Sequence, residues 1–96
     1  MSPDKEKKLN KLRVKLDKID DILLKNFKTR TEIVKKVLLL KEYKNQIVDK
    51  KRIRIILNRI KKKSVTLNID PYVTNHIWKN IIKSYIDFER RNFKKK

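Results

Sequence analysis

The sequence predicts an all-α fold, with three helices per chain and a first helix long enough to need a partner. Three observations support this. Apolar residues recur at steps of three and four, which is helical spacing. There is no glycine to form tight hairpins, and no strand-like alternation of useful length. The first apolar pattern is also too long to be covered within a chain of 96 residues.

The longest pattern occupies the N-terminal half. No proline or glycine interrupts residues 4–48, which predicts a helix of roughly 35 to 40 residues, well above the usual mean. The apolar face of such a helix cannot be buried in a small monomer, so we expect it to pack against its copy in a second chain. This face, called the long stripe below, comprises Leu9, Leu12, Leu16, Ile19, Leu23, Ile33, Val37 and Leu40, with Asn26 and Arg30 filling two positions between Leu23 and Ile33.

Two shorter helices follow the break at "KNQIVD". Asp49 is placed to be the N-cap of the second helix, and "KKKSVTLN" is expected to loosen the chain at its end. Asp70 and Pro71 predict the start of the third helix, as N-cap and first helical residue. The predicted buried faces are Ile53, Ile56, Leu57 and Ile60 on the second helix, and Val73, Ile77, Trp78, Ile81, Tyr85, Phe88 and Glu89 on the third.

The length of the chain predicts one domain over residues 1–96. Residues 1–8 and 92–96 are interpreted as basic tails that need not be ordered. The N-terminus lacks the apolar segment of a signal peptide, and the longest aliphatic run, "VLLL", is far shorter than the roughly 20 residues that span a bilayer. These features predict a soluble, cytoplasmic protein without membrane contact.

Composition excludes several classes of site. The absence of cysteine excludes disulfides and thiolate metal sites, and the absence of glycine excludes phosphate-binding loops. His76 is the only histidine, so we expect no metal and no cofactor. The net charge of +18 suggests a nucleic-acid partner, although the abundance of Lys, Ile and Asn also fits an AT-rich coding sequence.

Cations interrupt the buried face of the first helix. Arg30 lies in the long stripe, and Lys41 follows eleven residues later, about three turns and about 16 Å along the same line. The two side chains are therefore placed to converge on one small anion. Arg13 precedes Arg30 by about 25 Å, so it can serve only a pocket of a partner chain if the long helices run antiparallel. The simpler alternatives are a snorkelling arginine and a surface lysine.

Two further polar residues lie on predicted apolar faces. Arg52 is in the first turn of the second helix, on the side of Ile56. Glu89 follows Tyr85 by one turn on the third helix. A carboxyl on such a face tends to be protonated or paired, since desolvation disfavours its charge. The alternative for Glu89 is pairing with a neighbouring arginine or exposure to solvent.

Three segments together resemble a known family: "LRVKLDKIDDILLKNFKTRTEIVKKVLLLK", "IVDKKRIRIIL" and "IDPYVTNHIWKNIIKSYIDFE". From about Leu12 to Glu89, the chain is similar to the all-helical (AroQ-class) chorismate mutases. The resemblance implies a homodimer of interlaced three-helix protomers with two active sites, each completed by an arginine of the other subunit. It also implies a cofactor-free isomerase that converts the dicarboxylate chorismate to prephenate, in the shikimate-pathway route to phenylalanine and tyrosine.

The resemblance also implies roles for individual residues. Arg13, Arg30 and Arg52 match positions that hold the substrate carboxylates. Lys41 matches the donor to the ether oxygen, and Glu89, protonated in the complex, matches a Gln or Glu that contacts the same atom. Asp49 falls on an acidic position near the substrate hydroxyl.

Two positions depart from the family pattern. Ile53 stands where a glutamate commonly binds the hydroxyl, and Tyr85 replaces a small residue. The isochorismate–pyruvate lyases share the scaffold and can carry an apolar residue and a tyrosine there, so a lyase is the first alternative. A catalytically inactive relative is another. A basic helical nucleic-acid-binding dimer is the third, but the stripe position of Arg30 and the scarcity of exposed aromatic residues argue against it.

Overall fold

The computed structural model describes residues 1–95 of the chain, and within them it contains helices and no strand. Helix α1 comprises Pro3–Leu40, α2 comprises Lys50–Thr66 and α3 comprises Pro71–Asn92, with a short 3-10 turn at Lys44–Gln46. The prediction of three helices is confirmed, and the 38 residues of α1 agree with its expected length. Within this described part, no helix is both long and apolar enough to span a bilayer.

The chain divides into two compact units, Met1–Ile33 and the residues from Val34 onwards. The first unit is formed by the N-terminal part of α1 alone. Its share of the long stripe is largely open to solvent: Leu12 is 55% exposed and Ile19 is 53% exposed. A single helix has no second element against which to bury an apolar face, so the first unit lacks a core of its own. The assignment of one domain to residues 1–96 stays a prediction.

The second unit has a small core between α2 and α3. On α2, the predicted face is confirmed: Ile60 is buried, and Ile53, Ile56 and Leu57 are half-buried. On α3, the predicted face is confirmed from its middle to its end, where Glu89 is buried and the half-buried residues are Trp78, Ile81, Tyr85 and Phe88.

The start of α3 departs from the prediction. Val73 and Ile77 are exposed, and Thr74 is buried in their place. The reason is a pair of hydroxyl groups between the two helices: Ser64 Oγ and Thr74 Oγ1 are 2.6 Å apart, and Ser64 also donates to the carbonyl of Ile60 at 2.7 Å. Both hydroxyls are satisfied, which a buried polar group requires.

The Ser64–Thr74 pair also explains why α2 is longer than predicted. The segment "KKKSVTLN" was expected to loosen the chain, yet α2 continues through Thr66. Ser64 lies four residues after Ile60, so it extends the buried stripe by one more turn. Two residues after the end of the helix, Asn68 has a positive φ of 57°. Asn is among the residues that tolerate this left-handed conformation, which the chain must adopt here without a glycine.

Both predicted N-caps are present. The Asp49 carboxylate accepts a hydrogen bond from the backbone N–H of Arg52 at 3.0 Å, and Asp70 accepts from the N–H of Tyr72 at 2.9 Å. Each satisfies a backbone donor that the first turn of a helix leaves without an intrahelical partner. Pro71 begins α3, as its fixed φ favours.

The two ends of the chain, both interpreted as basic tails, differ from each other in the described residues. Residues 3–8 are part of α1, where Asp4 lies in the first turn and pairs with Lys8 at 3.4 Å. An acidic residue at a helix N-terminus and a pair spaced by four residues both favour the helix. Asn92 is the last residue of α3, residues 93–95 are not helical, and residue 96 lies outside the described part.

Candidate active site

The segment that follows α1 positions Lys41. The predicted alignment of Lys41 with Arg30 assumes a helix that continues through Lys41, but α1 ends at Leu40. The amide of Lys41 donates to the carbonyl of Leu38 at 3.1 Å, three residues back, so the chain tightens at this point. Gln46 explains the end of the helix, because its Oε1 accepts hydrogen bonds from the amides of Glu42 and Tyr43, each at 2.8 Å.

Lys41 and Glu89 meet although they are 48 residues apart in sequence. The Lys41 ammonium donates to Glu89 Oε1 at 2.9 Å, and the two side chains are only 19% and 9% exposed. Charges removed from water to this degree need each other, because neither is fully hydrated. The second unit therefore contains a cation and a carboxyl group fixed at one point.

The simpler interpretations of these two residues are thereby wrong. Lys41 is not an ordinary surface lysine, since its side chain is mostly covered. Glu89 does not pair with Arg91, which instead contacts Asp87 at 3.0 Å on the exposed side of α3. The catalytic role of the Lys41–Glu89 pair stays a prediction.

Asp49 and Arg52 are brought together at the start of α2 by the N-cap. The carboxylate of Asp49 binds the Arg52 backbone, and the Arg52 side chain is exposed. Asp49 thus has a structural task that the sequence predicted, besides the position near a substrate hydroxyl that the family resemblance assigns to it. An aspartate that caps a helix keeps a second carboxylate oxygen, so the two tasks are compatible.

The other two predicted arginines belong to the first unit. Arg13 is exposed, and its Nη1 lies 3.4 Å from Asn10 Oδ1 of the preceding turn. Arg30 is half-buried. Their part in holding a substrate stays a prediction.

The structure shows how Ile53 and Tyr85, the two departures from the family pattern, are packed. Ile53 is half-buried as the first member of the α2 face that packs on α3. Tyr85 is half-buried one turn before Glu89, and its ring meets that of Phe88 edge to face, with centroids 6.4 Å apart. An isoleucine in the packed face contributes burial, and that explains its presence without reference to a substrate.

Sequence reasoning missed the Ser64–Thr74 pair and the role of Gln46. A signal for the pair was present, since Ser64 continues the spacing of Ile60 and Thr74 precedes Trp78 by one turn. No group of three or more His, Cys, Asp or Glu side chains suited to a metal occurs among the residues that the structure covers, and His76 is exposed on α3.

Comparison with known proteins identifies the family of the chain. The family model described as chorismate mutase type II matches residues 12–90, a range that contains α2, most of α1 and α3, and every candidate site residue named above. Neither the search of curated proteins nor that of solved structures found a match. The enzymes of the matched family are chorismate mutases, a class of isomerase. Since the match covers most of the sequence, the chain belongs to the chorismate mutase type II family.

Proposed function

We propose that this enzyme rearranges chorismate to prephenate, on the route to phenylalanine and tyrosine, in the cytoplasm. Membership of the family supports the substrate and the reaction. The observation that carries the proposal further is the Lys41–Glu89 contact of 2.9 Å. It assembles, from two distant segments, the two groups that the resemblance assigns to the ether oxygen.

We also propose that the working form is an interlaced homodimer. The exposed apolar side chains of the first unit support this, because a soluble monomer rarely leaves so long an apolar stripe in water. The same helix of a second chain supplies a matching stripe. In such a dimer Arg13 of each chain serves the site of the other, as the spacing of Arg13 and Arg30 suggested.

The reaction needs no nucleophile, metal or cofactor. It is a pericyclic step, so the enzyme accelerates it by holding the substrate in its folded, reactive conformer. A donor aimed at the ether oxygen stabilises the negative charge that develops there as the C–O bond breaks. We assign the carboxylates of the substrate to Arg13, Arg30 and Arg52, because a guanidinium grips a carboxylate with two parallel hydrogen bonds.

Lys41 supplies the fixed cation at the ether oxygen. Glu89 helps only if it also donates, which requires a proton on its carboxyl group in the complex. In the structure, Glu89 accepts a hydrogen bond from Lys41. For both groups to donate to the ether oxygen, the Lys41 ammonium turns towards the substrate and a proton on Glu89 makes it the second donor. Asp49 is assigned to the substrate hydroxyl and Tyr85 to the wall of the pocket.

Isochorismate–pyruvate lyase activity is the second candidate. It is favoured by Tyr85 and Ile53, whose half-buried positions give the chain an aromatic and an apolar group where chorismate mutases commonly carry smaller or acidic ones.

One experiment tests both activities. The purified enzyme is incubated with chorismate and, separately, with isochorismate, and the loss of substrate absorbance is followed while the products are identified by mass spectrometry. We expect prephenate from chorismate, at a rate well above the uncatalysed one. Pyruvate with salicylate from isochorismate, and no prephenate, would make the lyase the correct assignment. No turnover of either substrate would indicate an inactive relative.

A further inference from the structure

Helix α2 carries a concentration of positive charge without compensation. Among its 17 residues there are eight lysines and arginines and no acidic residue. All eight basic side chains are exposed. They are Lys50, Lys51, Arg52, Arg54, Arg59, Lys61, Lys62 and Lys63.

These cations are not spread evenly around the helix. At 3.6 residues per turn, Arg52, Arg59 and Lys63 point to one flank of α2, within about 40° of each other. Arg54 and Lys61 point to the opposite flank, and the buried face with Ile60 lies between the two flanks. We call the row Arg52, Arg59 and Lys63 the α2 ridge.

The α2 ridge begins at a residue of the proposed substrate site. Arg59 lies about 10 Å and Lys63 about 16 Å from Arg52 along the helix axis. Neither Arg59 nor Lys63 takes part in an ion pair within the described chain, where the paired cations include Lys41 and Arg91. The charges of Arg59 and Lys63 are therefore free to act on a ligand at Arg52.

We infer that the α2 ridge increases the affinity of the site for its doubly negative substrate by attracting it over a distance, without contact. The inference rests on the proposed function, because that function supplies the dianion. Removing two charges at about 10 and 16 Å from a dianion lowers its affinity by about three- to fivefold at an ionic strength of about 0.01 M, with the dielectric constant of water. Near 1 M salt the Debye length is about 3 Å, and the effect disappears.

The kinetic consequence is specific. Arg59 and Lys63 are too far from Arg52 to touch the reacting atoms, and they favour substrate and transition state equally. Such uniform attraction changes KM and leaves kcat unaltered. Reversing the charges of the α2 ridge should therefore change the salt dependence of KM more than reversing other exposed charges of α2.

The test compares two double variants with the same change of charge on the same helix. Arg59→Glu/Lys63→Glu reverses the α2 ridge, and Arg54→Glu/Lys61→Glu reverses the opposite flank. Chorismate turnover is measured at ionic strengths of about 0.01 M and about 1 M. Circular dichroism establishes that α2 persists, as expected since glutamate forms helices nearly as well as lysine and arginine.

At low salt we expect KM to rise about tenfold or more in the ridge variant and by less than about fourfold in the opposite-flank variant. We expect kcat to be unchanged in both, and all KM values to converge at high salt. Equal KM in the two variants, or a change confined to kcat, overturns the inference while leaving the function intact. Absence of turnover in the wild-type enzyme overturns the proposed function and the inference together.

Discussion

The packed helices of the second unit and the single helix of the first unit differ in how much of their predicted faces they bury. In the second unit, Ile60, Ser64 and Thr74 are buried between α2 and α3, and Lys41 donates a hydrogen bond to Glu89. In the first unit, the apolar residues of the long stripe from Leu12 to Ile33 are exposed. Both units follow the same helical pattern in sequence, so the pattern alone does not decide burial. What differs is the supply of a second element: α2 and α3 cover each other in the second unit, whereas the first unit contains one helix.

The largest effect is expected from a substitution in the long stripe. Ile19 and Val14 are almost equally exposed in the single chain, at 53% and 52%, but only Ile19 lies in the stripe. We expect Ile19→Asp to abolish the dimer and all activity, because it buries a charge in the paired form and costs on the order of 2–5 kcal/mol. Analytical ultracentrifugation and thermal unfolding measure this, with a fall in Tm of more than about 10 °C.

Val14→Asp is the matched control. It introduces the same residue in the same unit, away from the stripe, and should leave mass, Tm and turnover close to wild type. If both variants behave alike, or if the wild-type chain sediments as a stable monomer, the homodimer is wrong.

The next effect concerns the donors. Lys41→Ala and Arg30→Ala should each lower kcat/KM by about 100-fold or more, by analogy with loss of an oxyanion donor. Lys44→Ala, an exposed neighbour of Lys41, is the control for local disturbance. Because Lys41→Ala leaves Glu89 without its partner, the double variant Lys41→Ala/Glu89→Gln separates lost catalysis from lost stability.

Mixing two inactive variants tests whether residues of both units, from different chains, form one active site. Arg13 belongs to the first unit and Lys41 to the second, and each single alanine variant should be inactive. When the two variants are unfolded and refolded together, random pairing gives heterodimers with one intact site, and about a quarter of wild-type activity should return. If no activity returns although heterodimers form, the site is not shared between subunits.

A smaller effect concerns pH. A carboxylate accepts hydrogen bonds but cannot donate, so the active form of Glu89 in the complex is the protonated one. We expect kcat to decrease as the pH rises, because loss of the proton removes the donor. The amide of Glu89→Gln donates at every pH, so this variant should give a flatter profile. Circular dichroism at each pH excludes unfolding, and a flat wild-type profile would contradict the donor role.

The smallest expected effect lies within the second unit. Ser64→Ala removes one partner from the buried hydroxyl pair and should cost about 1–2 kcal/mol in urea unfolding. Thr66→Ala removes an exposed hydroxyl that also bonds to a carbonyl four residues back, at 3.1 Å, and should cost less than about 0.5 kcal/mol. Ser64→Ala/Thr74→Val should recover part of the loss, since neither group is then left unsatisfied. Equal losses in the two single variants would show that burial of the pair adds nothing.

Much of the fold was predictable because its signals are local. Asp49, Asp70 and Pro71 mark helix starts by bonding with, or shaping, the residues directly beside them. The length of α1 followed from an uninterrupted pattern. The end of α1 was less predictable, since the stop at Leu40 depends on the Gln46 side chain folding back over the next turn.

For the site, the chain order and helical phase predicted which polar residues interrupt apolar faces, and the family resemblance gave them roles. The meeting of Lys41 with Glu89 depends on two segments 48 residues apart. The burial of Thr74 against Ser64, in preference to Val73 and Ile77, depends on how α3 packs on α2. Helical periodicity is a property of neighbouring residues along one chain and can be read from their order. Which groups finally touch depends on how two helices settle against each other, and that is settled by the packing of many side chains at once.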